Sequence, residues 1–240
     1  MTGTSQKELE KVAQTLKHSV GFNEVLTHLT YEVLSEYFVG DACLDIGLGE
    51  GLQISLLLER FKRVTGVDAA QTLLNTIRKQ SESERLELVC SMVQDYEPKS
   101  QFDTIIMGHF LEHLDDGIPV MRQALDWLNP GGRLLVCESN ADSLHRKAAV
   151  IMGLLESVTE LGPLKSSCGQ RRVYTRSLMQ DELTEAGWVI EHFGGFFLKP
   201  LANNQLEQVC TPDLIRAYHE LGKQYPEIAA EMFVVCRPAS

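Results

Sequence analysis

The stretch CLDIGLGEG at residues 43–51 decides the fold, because an apolar run that carries one acid leads directly into three alternate glycines. Gly47, Gly49 and Gly51 lack a Cβ and tolerate positive φ, so backbone amides in this turn can approach a ligand closely. The residues that follow, LQISLLLERF, have the spacing of a helix whose N-terminus would complete such a site. We therefore predict a buried strand, a ligand-binding turn and a helix, in that order.

The spacing of the glycines distinguishes between two kinds of cofactor-binding turn. The dinucleotide fingerprint G-x-G-x-x-G requires glycine or alanine where Leu52 stands, counting from Gly47. The pattern acid-x-G-x-G-x-G is matched by residues 45–51 at every position. This pattern resembles the first motif of class I S-adenosylmethionine-dependent methyltransferases. The resemblance implies S-adenosylmethionine as cofactor, S-adenosylhomocysteine as product, and cofactor contacts from four residues of the turn: Asp45, Gly47, Gly49 and Gly51.

A second acid, Asp68, ends the next short apolar run, RVTGVD at residues 63–68. In Rossmann-like folds an acid at the end of the second strand accepts hydrogen bonds from both ribose hydroxyls. We expect Asp68 to bind the ribose and Ala69 to lie against the adenine. The alternative is that Asp68 only caps the helix that follows.

The end of the third strand departs from the family pattern. Met92 stands where many members of the family carry an acid that binds the adenine. We expect the backbone amides of Met92 and Val93, together with thioether packing, to hold the adenine. Asp95 is the alternative acid, and we disfavour it.

The segment GHFLEH at residues 108–113 follows the fourth strand and has two interpretations. Its H-x-x-E-H pattern matches an inverted zinc-peptidase motif, but that motif requires a continuous helix, which residues 115–117 (DDG) would break. We therefore expect no metal. The segment also resembles the methyltransferase loop that faces the cofactor sulfur and the acceptor. This predicts His109 as a cofactor contact and candidate base, with His113 as a weaker catalytic candidate.

The alternation of strand and helix patterns predicts the fold class. We predict an α/β, Rossmann-like, doubly wound and mostly parallel sheet of seven strands, with an antiparallel terminal strand and helical lid inserts. The strands are predicted at 42–46, 63–67, 86–90, 102–107, 132–138, 188–193 and 231–236. A turn at residues 129–132 (NPGG) is expected to precede the fifth strand. The chain is interpreted as one domain over 1–240, with N-terminal helices in 1–39 and lid inserts at 140–174 and 195–228.

Composition restricts the partners of the chain. A net charge of −11 argues against a nucleic-acid partner, which requires a basic surface. The sequence has neither a run of about 20 apolar residues nor a signal-peptide core, so we expect no membrane span and a cytoplasmic location. The six cysteines lack a C-x-x-C pair and are expected to be reduced.

The region 145–176 is locally basic, with six basic against two acidic residues. We expect this region and its neighbour after the sixth strand to bind a polar, anionic small molecule, whereas the alternative is an ordinary solvated surface. Five residues are predicted to contact the acceptor: His145, Arg171, Arg172, Tyr174 and Phe196.

The sequence thus predicts methyl transfer from S-adenosylmethionine to an N or O atom of a polar small molecule. The resemblance is to ubiquinone-biosynthesis and bacterial natural-product methyltransferases. Two alternatives stay open at this point: a non-catalytic module that only binds the cofactor, and a nicotinamide-dependent oxidoreductase.

Overall fold

The computed structural model describes residues 6–15, 21–161 and 169–239, and within them one sheet organises the chain. The sheet has seven strands in the order β3-β2-β1-β4-β5-β7-β6. The strands are β1 (Ala42–Ile46), β2 (Arg63–Asp68), β3 (Leu86–Cys90), β4 (Phe102–Gly108), β5 (Leu128–Ser139), β6 (Trp188–Phe196) and β7 (Glu231–Pro238). The first five strands pair in parallel, and β7 is antiparallel to both of its neighbours. The predicted mostly parallel sheet with a reversed terminal strand is confirmed.

Helices cover both faces of this sheet. Those in the described residues are α1 (Gln6–Thr15), α2 (Phe22–Ser35), α3 (Ile54–Arg60), α4 (Gln71–Gln80), α5 (Ile118–Asp126), α6 (Leu144–Ile151), α7 (Arg176–Glu185), α8 (Asn203–Val209) and α9 (Pro212–Gln224). One apolar cluster packs α5 and α7 on one face, and a second packs α2, α3, α4 and α8 on the other. Because β1 lies between these layers, all five of its residues are buried, which explains the apolar run in the sequence.

The predicted turn before the fifth strand is wrong in one respect. β5 begins at Leu128, so residues 129–132 lie within the strand and not before it. The pairing shifts register here: Phe102 pairs with Leu128, but Thr104 pairs with Arg133. A β-bulge accommodates the glycines and the proline, which cannot continue a regular ladder.

The two segments interpreted as lid inserts are partly helical. Residues 140–174 contain α6, and Cys168 and Lys165 of this segment lie outside the described residues. Residues 195–228 contain the end of β6, followed by α8 and α9. Glu207 of α8 accepts a hydrogen bond from the Phe22 backbone at 2.7 Å, which joins this segment to the start of α2. Whether both segments cover an active site stays a prediction.

In the described ranges, no helix is both long and apolar enough to cross a membrane. The five cysteines that the structure describes are free thiols. Three of them (Cys43, Cys137 and Cys236) are fully buried within strands, where a thiol packs as a small apolar side chain.

Candidate active site

The three sequence motifs meet at the carboxyl edge of the sheet. β1 lies between β2 and β4, and the order of the strands reverses between β1 and β4, which is where open α/β sheets bind ligands. The Gly47 N–H donates to Val67 O at 3.0 Å, so the glycine turn is fixed to the end of β2. A Cβ on Gly47 would lie 2.8 Å from the Phe110 side chain, so this turn also packs on the loop after β4. One region therefore contains all three motifs.

Within the glycine turn, two glycines have different roles. Gly49 has φ of +52°, and a Cβ added there would meet nothing within 4 Å, so its backbone faces open space. Gly51 has φ of +77°, and its Cβ would lie 2.4 Å from Ile77 Cγ1 on α4. Gly51 is therefore required for packing of the glycine turn against α4, whereas Gly49 keeps the turn accessible to a ligand.

Asp68 accepts two backbone hydrogen bonds at the end of β2. Its Oδ1 accepts the Ala70 N–H at 2.8 Å, just before α4 begins, and its Oδ2 accepts the Leu48 N–H of the glycine turn at 3.0 Å. A carboxylate oxygen has two lone pairs, so each oxygen keeps one for a further donor. The N-cap of α4 is Ala70 and no side chain caps this helix, so the capping alternative is wrong. Binding of the two ribose hydroxyls stays a proposal that this geometry permits.

Asp45 and Asp68 form a carboxylate pair beneath the glycine turn. Burial and the neighbouring Asp68 raise the pKa of Asp45 to about 7. Burial also raises the pKa of Asp68, while the N–H groups of Ala70 and Leu48 oppose that shift. A buried acid whose charge is disfavoured by burial and by a second acid is complementary to a cation. S-adenosylmethionine carries a sulfonium and an ammonium group, so these residues fit that cofactor.

The other predicted cofactor contacts lie around this pair. Ala69 and Met92 are half-buried, whereas Val93 packs into the core and can offer only its backbone. His113 is half-buried, and its imidazole is among the groups that lower the pKa of Asp68, although burial outweighs them. His113 is therefore close enough to Asp68 to affect its charge, and its catalytic role stays a prediction.

The loop after β4 is held by the end of β5. The His109 N–H donates to Cys137 O at 2.7 Å. Glu138 Oε1 accepts the N–H groups of Phe110 at 3.1 Å and Leu111 at 2.7 Å. His109 has φ of +51°, a conformation that is uncommon outside glycine and is found where surrounding contacts enforce it. These contacts fix the backbone that carries the histidine.

The His109 ring lies between two buried carboxylates. Its Nδ1 is 3.9 Å from Glu112 Oε1, and its Nε2 is 3.7 Å from Glu231 Oε2. The His109 side chain keeps 38% of its surface exposed, whereas those of Glu112 and Glu231 keep 3% and 6%. The imidazole is therefore the accessible member of the group and can meet an acceptor.

Glu231 also belongs to this site, although no local sequence motif indicates it. Glu231 is the first residue of β7 and pairs with Ser139 at the end of β5, so only the antiparallel pairing brings it to His109. His109, Glu112 and Glu138 also offer ligand atoms within 4.8 Å of one another, a spacing compatible with a metal ion. The expectation that no metal is used therefore stays a prediction.

Two predicted acceptor residues are buried, which corrects the expectation that they line a pocket. The Tyr174 side chain is fully buried, and its hydroxyl donates to Glu182 Oε2 at 2.9 Å. Phe196 is also fully buried and packs edge-on against the His219 ring. Neither side chain has surface available for an acceptor, because both complete the apolar layers of the sheet.

The basic residues among the predicted acceptor contacts differ in exposure. Arg172 is mostly buried: its guanidinium pairs with Glu182 and donates to the carbonyls of Leu114 and Asp115. Arg171 is exposed and lies 3.8 Å from Asp115, and its N–H donates to Glu112 O at 2.7 Å. His145 is half-buried in the first turn of α6. Arg171 and His145 retain surface for an acceptor, and that role stays a proposal.

We expect Tyr174→Phe to destabilise the fold by about 1–2 kcal/mol, because Oε2 of the buried Glu182 carboxylate loses the tyrosine hydroxyl as its donor, while Arg172 still pairs with Oε1. This corresponds to a fall in Tm of roughly 2–6 °C for a domain of this size. Urea unfolding measures the effect, and the exposed Tyr225→Phe is the matched control. Unchanged stability together with a raised acceptor KM would instead place Tyr174 in contact with the acceptor.

Comparison with known proteins identifies the class. Residues 44–136 match the family described as "Methyltransferase domain". A ubiquinone biosynthesis O-methyltransferase of Marinobacter nauticus is 26% identical over 68% of this chain and 69% of its own length. An S-adenosylmethionine-dependent methyltransferase from Mesorhizobium loti aligns with a TM-score of 0.60 at 16% identity, over 87% of this chain and 97% of that one. The glycopeptide N-methyltransferase MtfA, bound to S-adenosylmethionine, aligns with a TM-score of 0.59 at 16% identity, over 88% and 86%.

The methyltransferase domain match, the curated relatives and the fold together support a class I S-adenosylmethionine-dependent methyltransferase. These matches support an enzyme, and the motif at residues 45–51 supports S-adenosylmethionine as its cofactor. The match of residues 45–51 to the first motif of this class is in agreement. The nicotinamide oxidoreductase and the non-catalytic module, the two alternatives left open by the sequence, are accordingly set aside.

Proposed function

We propose that the enzyme methylates a hydroxyl oxygen of a polar small molecule and that His109 removes the hydroxyl proton. The observation that carries this proposal is the accessible His109 imidazole between the buried carboxylates of Glu112 and Glu231, at the end of β4. A neutral imidazole is suited to accept a proton near neutral pH. The bound cofactor supplies an activated methyl group, so the protein's own task is to position and deprotonate the acceptor.

The two carboxylates support a base in a specific way. When one ring nitrogen of His109 accepts a proton, the imidazole becomes positively charged. A carboxylate beside the other ring nitrogen orients the ring and stabilises that charge, as in hydrolases that pair histidine with an acid. Glu112 and Glu231 each lie less than 4 Å from a different ring nitrogen of His109. Whichever nitrogen faces the acceptor, the other therefore has a carboxylate beside it.

The relatives support oxygen as the acceptor atom. The curated relatives that match over about two thirds of the chain are named ubiquinone biosynthesis O-methyltransferases. The structural neighbours named as N-methyltransferases are less than 25% identical and therefore inform the fold alone.

An amine acceptor is the second candidate, and a different observation favours it. Glu112, Glu138 and Glu231 are all at least 96% buried near one edge of the sheet, and buried carboxylates favour a cationic partner. A protonated amine would be attracted to these carboxylates, although it must lose its proton before it can attack the methyl group.

A cleft that follows the end of β5 supports the proposal of a polar, anionic acceptor. This cleft of about 190 Å³ begins at Asn140 and is lined by Lys147 and Arg176, among others. The Arg176 guanidinium stacks 4.3 Å over the Phe193 ring, which preorganises it. These cations could hold a carboxylate or phosphate group of the acceptor.

The test compares matched pairs of small molecules that differ only in a hydroxyl or an amine, with radiolabelled S-adenosylmethionine and identification of the product by mass spectrometry. We expect methylation of hydroxyl compounds, with kcat rising as the base loses its proton. Exclusive methylation of amines would refute the oxygen assignment and support the second candidate.

A further inference from the structure

The first helix lies over the edge of the site where adenine is expected to bind. Gln6 Nε2 donates a hydrogen bond to Ala69 O at 3.1 Å and lies 3.5 Å from Cys90 Sγ. Ala69 directly follows β2, and Cys90 is the last residue of β3. The Gln6 carboxamide therefore spans the two strand ends that frame the expected adenine position.

Contacts with α4 hold Gln6 in this place. Glu10 of α1 accepts hydrogen bonds from the Thr72 N–H at 3.2 Å and from the Thr72 hydroxyl. One turn further along α1, Ala13 is buried together with Ala70 and Leu73. A polar and an apolar contact thus both attach α1 to the start of α4, next to the residue proposed to bind the ribose.

Met92 and Val93, which follow β3, offer adenine no strong side-chain acceptor. Met92 has a thioether, which accepts hydrogen bonds weakly, and the Val93 side chain is buried in the core. The 6-amino group of adenine is a donor, and a glutamine carboxamide is a recurrent partner for it. In the described part of the chain, no donor contacts Gln6 Oε1, although Gln6 Nε2 is already engaged with Ala69.

We propose that Gln6 recognises the adenine of the cofactor, with Oε1 accepting from the 6-amino group while Nε2 keeps its hydrogen bond to Ala69 O. The N-terminal helix thereby supplies the acceptor that position 92 lacks. This inference rests on S-adenosylmethionine being the cofactor and extends it to a residue outside the sheet.

The test is isothermal titration calorimetry with two ligands: S-adenosylhomocysteine, and its analogue with hydrogen in place of the 6-amino group. We expect the parent protein to bind S-adenosylhomocysteine roughly tenfold more tightly than the analogue, the worth of one hydrogen bond in a partly exposed site. Gln6→Ala should weaken the binding of S-adenosylhomocysteine by about the same factor. Its affinity for the analogue should stay within roughly threefold of the parent's, as a thermodynamic cycle requires for a direct contact.

Two other substitutions in α1 distinguish direct recognition of adenine by Gln6 from a role of α1 in only covering the cofactor site. Lys7→Ala, at an exposed neighbouring position, should change neither affinity. Glu10→Ala removes the hydrogen bonds to Thr72 that attach α1 to α4. It should therefore weaken the binding of both ligands by the same factor. If Gln6→Ala also weakened both ligands equally, or neither, adenine recognition by Gln6 would be refuted. Failure of the parent to bind S-adenosylhomocysteine at all would instead overturn the cofactor-site assignment on which this inference rests.

Discussion

His109→Asn is expected to lower kcat by roughly 10²–10⁴-fold on a hydroxyl acceptor, because the base acts mainly in the transition state. Affinity for S-adenosylhomocysteine should change little. Asparagine is the informative replacement, since His109 has a positive φ that asparagine tolerates and alanine does not. The variant thus removes the imidazole while it preserves the backbone that Glu138 and Cys137 hold in place. Steady-state kinetics over a range of pH provide the measurement.

The matched control is His28→Asn on the exposed side of α2, which should leave all kinetic constants unchanged. For an amine acceptor that is already neutral, the loss should be smaller and should fall largely on KM. Unaltered kcat and KM across the pH range would remove His109 from the mechanism. The experiment therefore tests the base and helps to assign the acceptor atom.

Local sequence signals predicted the secondary structure on the proposed cofactor side of the site. The strand, glycine turn and helix around residues 42–60 follow from apolar periodicity and from glycine spacing. The predicted bounds of β1 and β3 agree with the structure. Such features depend on neighbours in the chain, and so a single sequence contains them.

The start of β5 could not be predicted in the same way. Pro130 and the two glycines after it are strong turn signals, but the Asn129 side chain donates to Asp103 Oδ1 at 2.8 Å on the adjacent strand. This contact between strands supports pairing on both sides of the bulge. Tertiary structure therefore decides the boundary against the local preference.

The acceptor side was predicted poorly because its residues are joined only by the fold. The local excess of basic residues suggested that Arg172 and Tyr174 face a ligand, yet both contact Glu182 of α7. Conversely, Glu231 carries no local motif and reaches His109 only because β7 pairs with β5. Charge patterns along a sequence do not reveal which opposite charge the fold brings close.

Asp68→Ala is expected to weaken S-adenosylhomocysteine binding by about 2–4 kcal/mol, which is roughly 30–1,000-fold in Kd. The proposed cause is the loss of two hydrogen bonds from the ribose hydroxyls to a carboxylate. The structure adds a second cause, since Asp68 also accepts the N–H groups of Leu48 and Ala70 and so organises the glycine turn and the start of α4. Calorimetry measures the affinity, and thermal unfolding measures the change in the stability of the protein.

The two causes can be separated with 2′- and 3′-deoxyribose analogues of S-adenosylhomocysteine. If Asp68 binds the ribose, each missing hydroxyl should weaken binding to the parent but should matter much less to Asp68→Ala, because the contact is already absent. If Asp68 only organises the turn, removal of each hydroxyl should lower the affinity of the parent and of the variant by the same factor. Asp181→Ala, an exposed acid on α7, controls for the change in net charge. An affinity of Asp68→Ala for S-adenosylhomocysteine within about threefold of the parent would contradict the ribose assignment, because a charged hydrogen-bond pair is worth more than that.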